Sequence, residues 1–193
     1  MNLPNKLTLL RVILTPIFLL AMVINFPCHY LLALVIFIVA SLTDYFDGKI
    51  ARERNLVTDF GKFVDPIADK MLTTAAFLGF FKIGLGIGME WALFIILFRE
   101  FAIASMRLVA VSGAEKKVIP ANIWGKLKTV FQMVTVIFGL TCLAAANLFT
   151  LPLVVLKAFD IAFNVMLWIS VLLTALSGVI YIKDGFKFID TTK

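Results

Sequence analysis

Histidine occurs once in the 193 residues, as His29, and cysteine twice, as Cys28 and Cys142. One imidazole cannot build a histidine-based metal centre. Two thiols without CxxC spacing make neither a zinc site nor a redox pair. Both cysteines sit in apolar or span-edge surroundings and read as small buried hydrophobes, silent about the redox compartment. Charge is scarce as well. Asp, Glu, Lys and Arg make up 16% of the chain, against about 25% in an ordinary soluble domain. There is no internal repeat and no low-complexity tract. The glycine-dense stretch Gly84-Leu-Gly-Ile-Gly88 follows an apolar run rather than a strand and lacks a following Lys-Ser/Thr, so it is not a phosphate loop.

What fills the chain instead is apolar: 62% of residues are hydrophobic, and the mean hydropathy is +1.02. Six apolar stretches can be marked, over residues 7–26, 30–47, 60–81, 91–111, 127–146 and 159–182. Lipid offers backbone groups no partner, so each stretch is expected to be a helix. The expected fold is all-α, an integral membrane bundle of six transmembrane helices. Spans of about 20 residues use up most of the length, so residues 1–193 form a single domain. Breakers fall between the stretches: Pro27, then Gly84, Gly86 and Gly88, then 113–120, then 147–152. Lys6 and Arg11 before an apolar run suggest a signal peptide, but no small-x-small cleavage site follows, and an uncleaved first helix is expected.

The net charge is +6 and the isoelectric point about 9.4. No polar, basic face exists to carry nucleic acid. Lysine and arginine flank the spans instead. With six helices, fourteen of the 18 lie on the side of both termini, Lys82 and Lys157 on the other, and Lys70 and Arg99 within spans. By the positive-inside rule both termini are expected in the cytoplasm.

On that side lies the segment that carries chemistry. Asp44 and Asp47 are three apart at the end of the second stretch; Asp65 and Asp69 are four apart near the start of the third. Each pair lies on one helical face. A short connection is expected to fold the two helices antiparallel, with the four carboxylates facing one another. Four like charges at a membrane edge are costly, at about 2.5–3.5 kcal/mol each within a span. Divalent cations would neutralise them, and oxygen ligands suit Mg2+, Mn2+ or Ca2+. Two such ions among carboxylates suit phosphoryl chemistry. Gly48 and Gly61 would let a ligand or backbone approach closely, and Arg52 offers a fixed donor fork to a phosphate.

These residues spell DxxDGxxAR, eight residues, then GxxxDxxxD: Asp44, Asp47, Gly48, Ala51, Arg52, Gly61, Asp65 and Asp69. The pattern resembles the signature of the CDP-alcohol phosphotransferase family at every position. The motif covers residues 44–69, and the six-helix layout extends the likeness over the chain. The resemblance implies a CDP-linked donor and two metal ions, Mg2+ or Mn2+. It makes Asp44, Asp47 and Asp65 metal ligands, and Asp69 a ligand that is also the general base. Gly48, Ala51, Arg52 and Gly61 would hold the nucleotide and pyrophosphate. Chemistry independently favours a positioned carboxylate to take the proton of an alcohol.

The run from Asn2 to Arg11, with Pro16 after it, resembles the bacterial branch that makes phosphatidylglycerophosphate in the cell (inner) membrane. In the family this segment lies across the nucleotide site, making Asn5 and Thr8 donor contacts; either could equally cap the first helix. Arg99 is eight residues from Arg107, close to one helical face. An arginine in mid-span should face a cavity or a partner. It either pairs with Glu100 or a third-stretch aspartate, or, with Arg107, Lys126, Lys128 and Thr129, builds a pocket for the phosphate of an acceptor. The resulting expectation is phosphatidyl transfer from CDP-diacylglycerol to glycerol 3-phosphate, and the family resemblance implies a homodimer. Inositol phosphate, serine or phosphatidylglycerol would be alternative acceptors. A cation transporter is the reading from another class.

Overall fold

The computed structural model describes residues 2–53, 58–112 and 123–185. The loop expected over 113–120, with Lys116 and Lys117, lies outside them. Six helices follow in order: α1 (Leu3–Val23), α2 (His29–Glu53), α3 (Asp59–Lys82), α4 (Met89–Ser112), α5 (Ile123–Leu148) and α6 (Leu153–Gly185). No strand occurs among the described residues.

The helix ends follow from local chemistry. Asn2 caps α1 by accepting from the backbone N–H of Asn5, with Pro4 in the first turn where its missing N–H costs nothing. Thr58 caps α3 by accepting from Gly61 N. The α3–α4 turn needs glycine at Gly86, where φ is +96° and an added Cβ would lie 2.8 Å from Met89 Cε. From α6, Asn164 accepts from Ile87 N and Trp168 donates to Ile87 O, pinning that turn. His29 is buried and bonds Ala21 O through Nδ1, tying α2 to α1.

Among the described residues the helices close into a ring, in the order α1, α2, α5, α6, α4, α3 and back to α1, with α3 also touching α5 across the middle. Between the described residues of the second and third helices contact is sparse, and α1 packs along both; the short connection expected between them lies outside the described residues. Small residues allow that close approach: Ala75, Ala76 and Gly79 are buried, and an added Cβ at Gly79 would meet Met22 of α1.

Phenylalanines fill the core. Phe18 meets Phe37 at 5.7 Å, and Phe80 meets Phe163 edge-on at 5.1 Å. Gly139 sits under the second pair, where an added Cβ would lie 2.6 Å from Phe163 and 2.9 Å from Phe80. Gly139→Ala is therefore expected to lower the thermal midpoint. Overpacking costs about 1–3 kcal/mol, against at most about 1 kcal/mol gained in helix propensity. Thermal unfolding in detergent checks this; an unchanged or raised midpoint would show that the rings give way.

Outside the core, α4 presents Trp91, Phe94, Phe98 and Phe101 outward, and α6 does the same with Ile161, Val165, Leu172 and Val179. So large an exposed apolar surface suits lipid rather than water. Among the described residues, three helices are by length and composition able to cross a membrane, Pro4–Val23, Ile123–Leu148 and Leu153–Lys183, and the described side chains of α2 add a further apolar run, His29–Asp44. What separates α3 and α4 from these is charge, namely Asp65, Asp69 and Lys70 on one, and Glu90, Arg99 and Glu100 on the other.

Candidate active site

The first helix wedges between the two carboxylate-bearing helices and touches both. Arg11, buried to 1% exposure, places Nη1 2.6 Å from Oδ1 of Asp44 on α2. One turn earlier, Thr8 Oγ1 donates to Oδ1 of Asp65 on α3 at 2.7 Å. Earlier still, Asn5 Oδ1 accepts from Thr58 Oγ1 at 3.0 Å. Asn5, Thr8 and Arg11 thus share one face of α1 and reach three points around the aspartates. Gly61 makes this fit possible: an added Cβ would lie 3.2 Å from Asn5 Oδ1 and 3.3 Å from Thr58 Oγ1.

Asp65 and Asp69 are exposed one turn apart on α3, and Asp44 is partly exposed on α2. Asp44 and Asp69 lie close enough for their charges to repel. These groups offer oxygen alone, the donor chemistry of a hard divalent cation. Among the described residues, however, no three His, Cys, Asp or Glu side chains converge on a metal-sized position. Asp47, Gly48, Ala51 and Arg52 fall in the last turns of α2. The side chains of Asp47, Ala51 and Arg52 lie outside the described set, as does that of Arg107 on α4.

Beside Asp69 opens a cavity of about 210 Å3, between α3, α4, α5 and α6. Its wall includes Lys70, Arg99, Glu100, Lys126, Lys128 and Tyr181. A water's share of liquid volume is about 30 Å3, so the space suits a small polar molecule and not a second lipid. Both readings of Arg99 meet here. Its Nη1 pairs with Glu100 Oε1 at 2.9 Å, and it also lines the cavity. Its Nε is buried with no hydrogen-bond partner among the described residues. Two glycines accommodate it: an added Cβ would lie 3.0 Å from Arg99 Cγ at Gly178, and 3.6 Å from Nη2 at Gly125.

Sequence reasoning passed over Lys70 and the wider role of Glu100. Glu100 is buried and accepts from Lys70 and Lys128 as well as from Arg99. It also counted Arg11 only as a flanking charge. The available signal was the same for all three: an ionisable residue inside an apolar stretch demands a partner.

A second, apolar groove of about 740 Å3 runs between α1, α3 and α4, lined by Val12, Pro16, Leu19, Met71, Leu78 and Phe101 among others. Lys70, Thr74 and Glu100 line both this groove and the polar cavity, so the two spaces adjoin.

The sequence model of the CDP-alcohol phosphatidyltransferase family matches residues 1–176. A relative from Bacillus subtilis (strain 168), named CDP-diacylglycerol–glycerol-3-phosphate 3-phosphatidyltransferase, is 37% identical, with 99% of this chain and 98% of the relative covered. A protein of the same name from Rickettsia bellii (strain RML369-C) is 36% identical, with 97% of each covered. A probable phosphatidylglycerophosphate synthase from Mycobacterium tuberculosis (strain ATCC 25618 / H37Rv) is 39% identical, covering 96% of this chain and 82% of the relative.

Proposed function

The chain belongs to the CDP-alcohol phosphatidyltransferase family, and from that premise we propose that it transfers the phosphatidyl group of CDP-diacylglycerol to glycerol 3-phosphate. The products are phosphatidylglycerophosphate and CMP. The observation that carries the choice of acceptor is the small cationic cavity beside Asp69, where buried Arg99 keeps an unpartnered N–H. A phosphate is the group that satisfies such a wall.

In the reaction, the acceptor's primary hydroxyl oxygen bonds to the β-phosphorus of the donor, the one that carries diacylglycerol. The bond from that phosphorus to the oxygen bridging to CMP breaks, and CMP departs with the electron pair. The hydroxyl proton passes to Asp69, which stands at the cavity rim. Arg99, Lys126 and Lys128 hold the acceptor's phosphate, with Arg107 a further candidate. Asn5, Thr8, Gly48, Ala51, Arg52 and Gly61 belong to the donor side. For Thr8, the bond to Asp65 supports an indirect part, through the carboxylate, as much as a direct contact.

Asp44, Asp47, Asp65 and Asp69 would hold two divalent ions, Mg2+ or Mn2+, in keeping with a family that is generally metal-dependent. When bound, these ions supply positive charge to the pyrophosphate. The apolar groove between α1, α3 and α4 suits an acyl chain of the donor, since it reaches the polar cavity at Lys70 and Thr74.

The chain works as one domain of six membrane-crossing helices, with termini and active site on the cytoplasmic face of a bacterial cell membrane. Its working unit, by family resemblance, is a homodimer. The test of function is CMP release by purified protein in detergent, with CDP-diacylglycerol and a panel of acceptors. Glycerol 3-phosphate is expected to support turnover, and serine, inositol phosphate and phosphatidylglycerol are not. Turnover with serine but not with glycerol 3-phosphate would sink the assignment.

A further inference from the structure

Three cations around the cavity converge on one carboxylate. Glu100 of α4 is buried and accepts from Lys70 of α3, from Lys128 of α5 and from its neighbour Arg99. Three helices therefore meet on a single side chain. The three cations outnumber Glu100 by two charges, so the cluster stays positive with its carboxylate in place. Each cation has donors to spare. An ammonium carries three N–H bonds and a guanidinium five, and Glu100 engages only some of them.

We propose that Glu100 is a positioning residue for the acceptor: it gathers Lys70, Arg99 and Lys128 from three helices and aims their remaining donors into the cavity where the acceptor's phosphate binds. This rests on the acceptor reading above and goes beyond it, because Glu100 itself repels a phosphate. Lysine and arginine side chains have many rotamers, and a ligand that must order them binds weakly. A carboxylate that orders them during folding removes that cost from the binding step. The Arg99 fork gains most. Its bond to Glu100 through Nη1 sets the plane in which the unpartnered Nε points.

Simple electrostatics makes the opposite forecast. Removing a negative charge from a cationic cavity should tighten phosphate binding. The sign of the effect therefore separates positioning from charge balance. The experiment is steady-state CMP release by the full chain in detergent, with each substrate varied in turn. Glu100→Gln is expected to raise KM for glycerol 3-phosphate about 10–100-fold, the scale of hydrogen bonds to charged groups, and to raise KM for CDP-diacylglycerol far less, since Glu100 only borders the donor's apolar groove. Glu100→Asp keeps the charge but draws the carboxylate back, and should raise the same KM. This second variant also covers the case in which the neutral one does not fold.

A fallen or unaltered KM for glycerol 3-phosphate in a folded variant overturns the proposal. So does an equal rise for both substrates, or a loss confined to kcat, since each marks a general structural role. A thermal-shift measurement without donor isolates the binding step. Glycerol 3-phosphate is expected to raise the midpoint of the unaltered protein and not that of Glu100→Gln. Equal protection of both proteins overturns the positioning role alone. No protection of either overturns the acceptor reading and this inference with it.

Discussion

Asp69→Asn is expected to cut CMP release at least about 100-fold, the lower range for loss of a general base, while the protein still folds. The side chain stands at the edge of the cationic cavity, where an acceptor hydroxyl can reach it. Asparagine has nearly the same shape but cannot take a proton. Folding should survive because the Asp69 side chain is exposed, so the thermal midpoint should hold. The same substitution could also weaken a metal site. Titrating Mg2+ or Mn2+ separates the two effects, since excess metal restores a loss of affinity and leaves a lost proton acceptor unrepaired. Near-normal turnover would remove Asp69 from its role. Full recovery at high metal would leave it a ligand only.

The helices were legible because hydropathy and breakers agree along the chain. Their ends were less so, and charge is the reason. The sixth apolar stretch starts at 159, yet α6 begins at Leu153, just past Pro152, with Lys157 inside its first turns. A lysine near a membrane edge ends an apolar run without ending a helix. Likewise α2 continues past Asp47 to Glu53, beyond its apolar part. The aspartate motif was legible through its fixed spacing, which local helical geometry explains. The packing of α1 between α2 and α3 was not, because spacing along one helix carries no information about which helix comes between two others. Thr8 could therefore be placed near the nucleotide, but its bond to Asp65 could not be foreseen. Arg11 belonged to a count of flanking charges until its partner on α2 was seen. The Glu100 cluster draws on positions 70, 100 and 128, and only the ring of helices brings these together.

Arg99→Met should lower kcat/KM for glycerol 3-phosphate about 10–100-fold, by the loss of charged hydrogen bonds worth about 1.5–3 kcal/mol. KM for CDP-diacylglycerol should stay as it was. Methionine keeps much of the stem's volume, so the space beside Gly178 and Gly125 remains filled. Glu100 keeps Lys70 and Lys128 as partners, which prevents an isolated buried charge and favours a folded variant. Arg99→Lys tests the fork itself. A lysine restores the charge but not the planar donors, and should recover only part of the loss. Full recovery by lysine would mean that charge alone matters at this position. If Arg99→Met instead lowers the thermal midpoint and raises KM for both substrates together, Arg99 serves only the ion cluster. The unpartnered Nε would then have no bearing on the acceptor. The kinetic split between the two substrates decides this, because among the described residues the cavity and the donor's apolar groove share Lys70, Thr74 and Glu100, while Arg99 lines the cavity and not the groove.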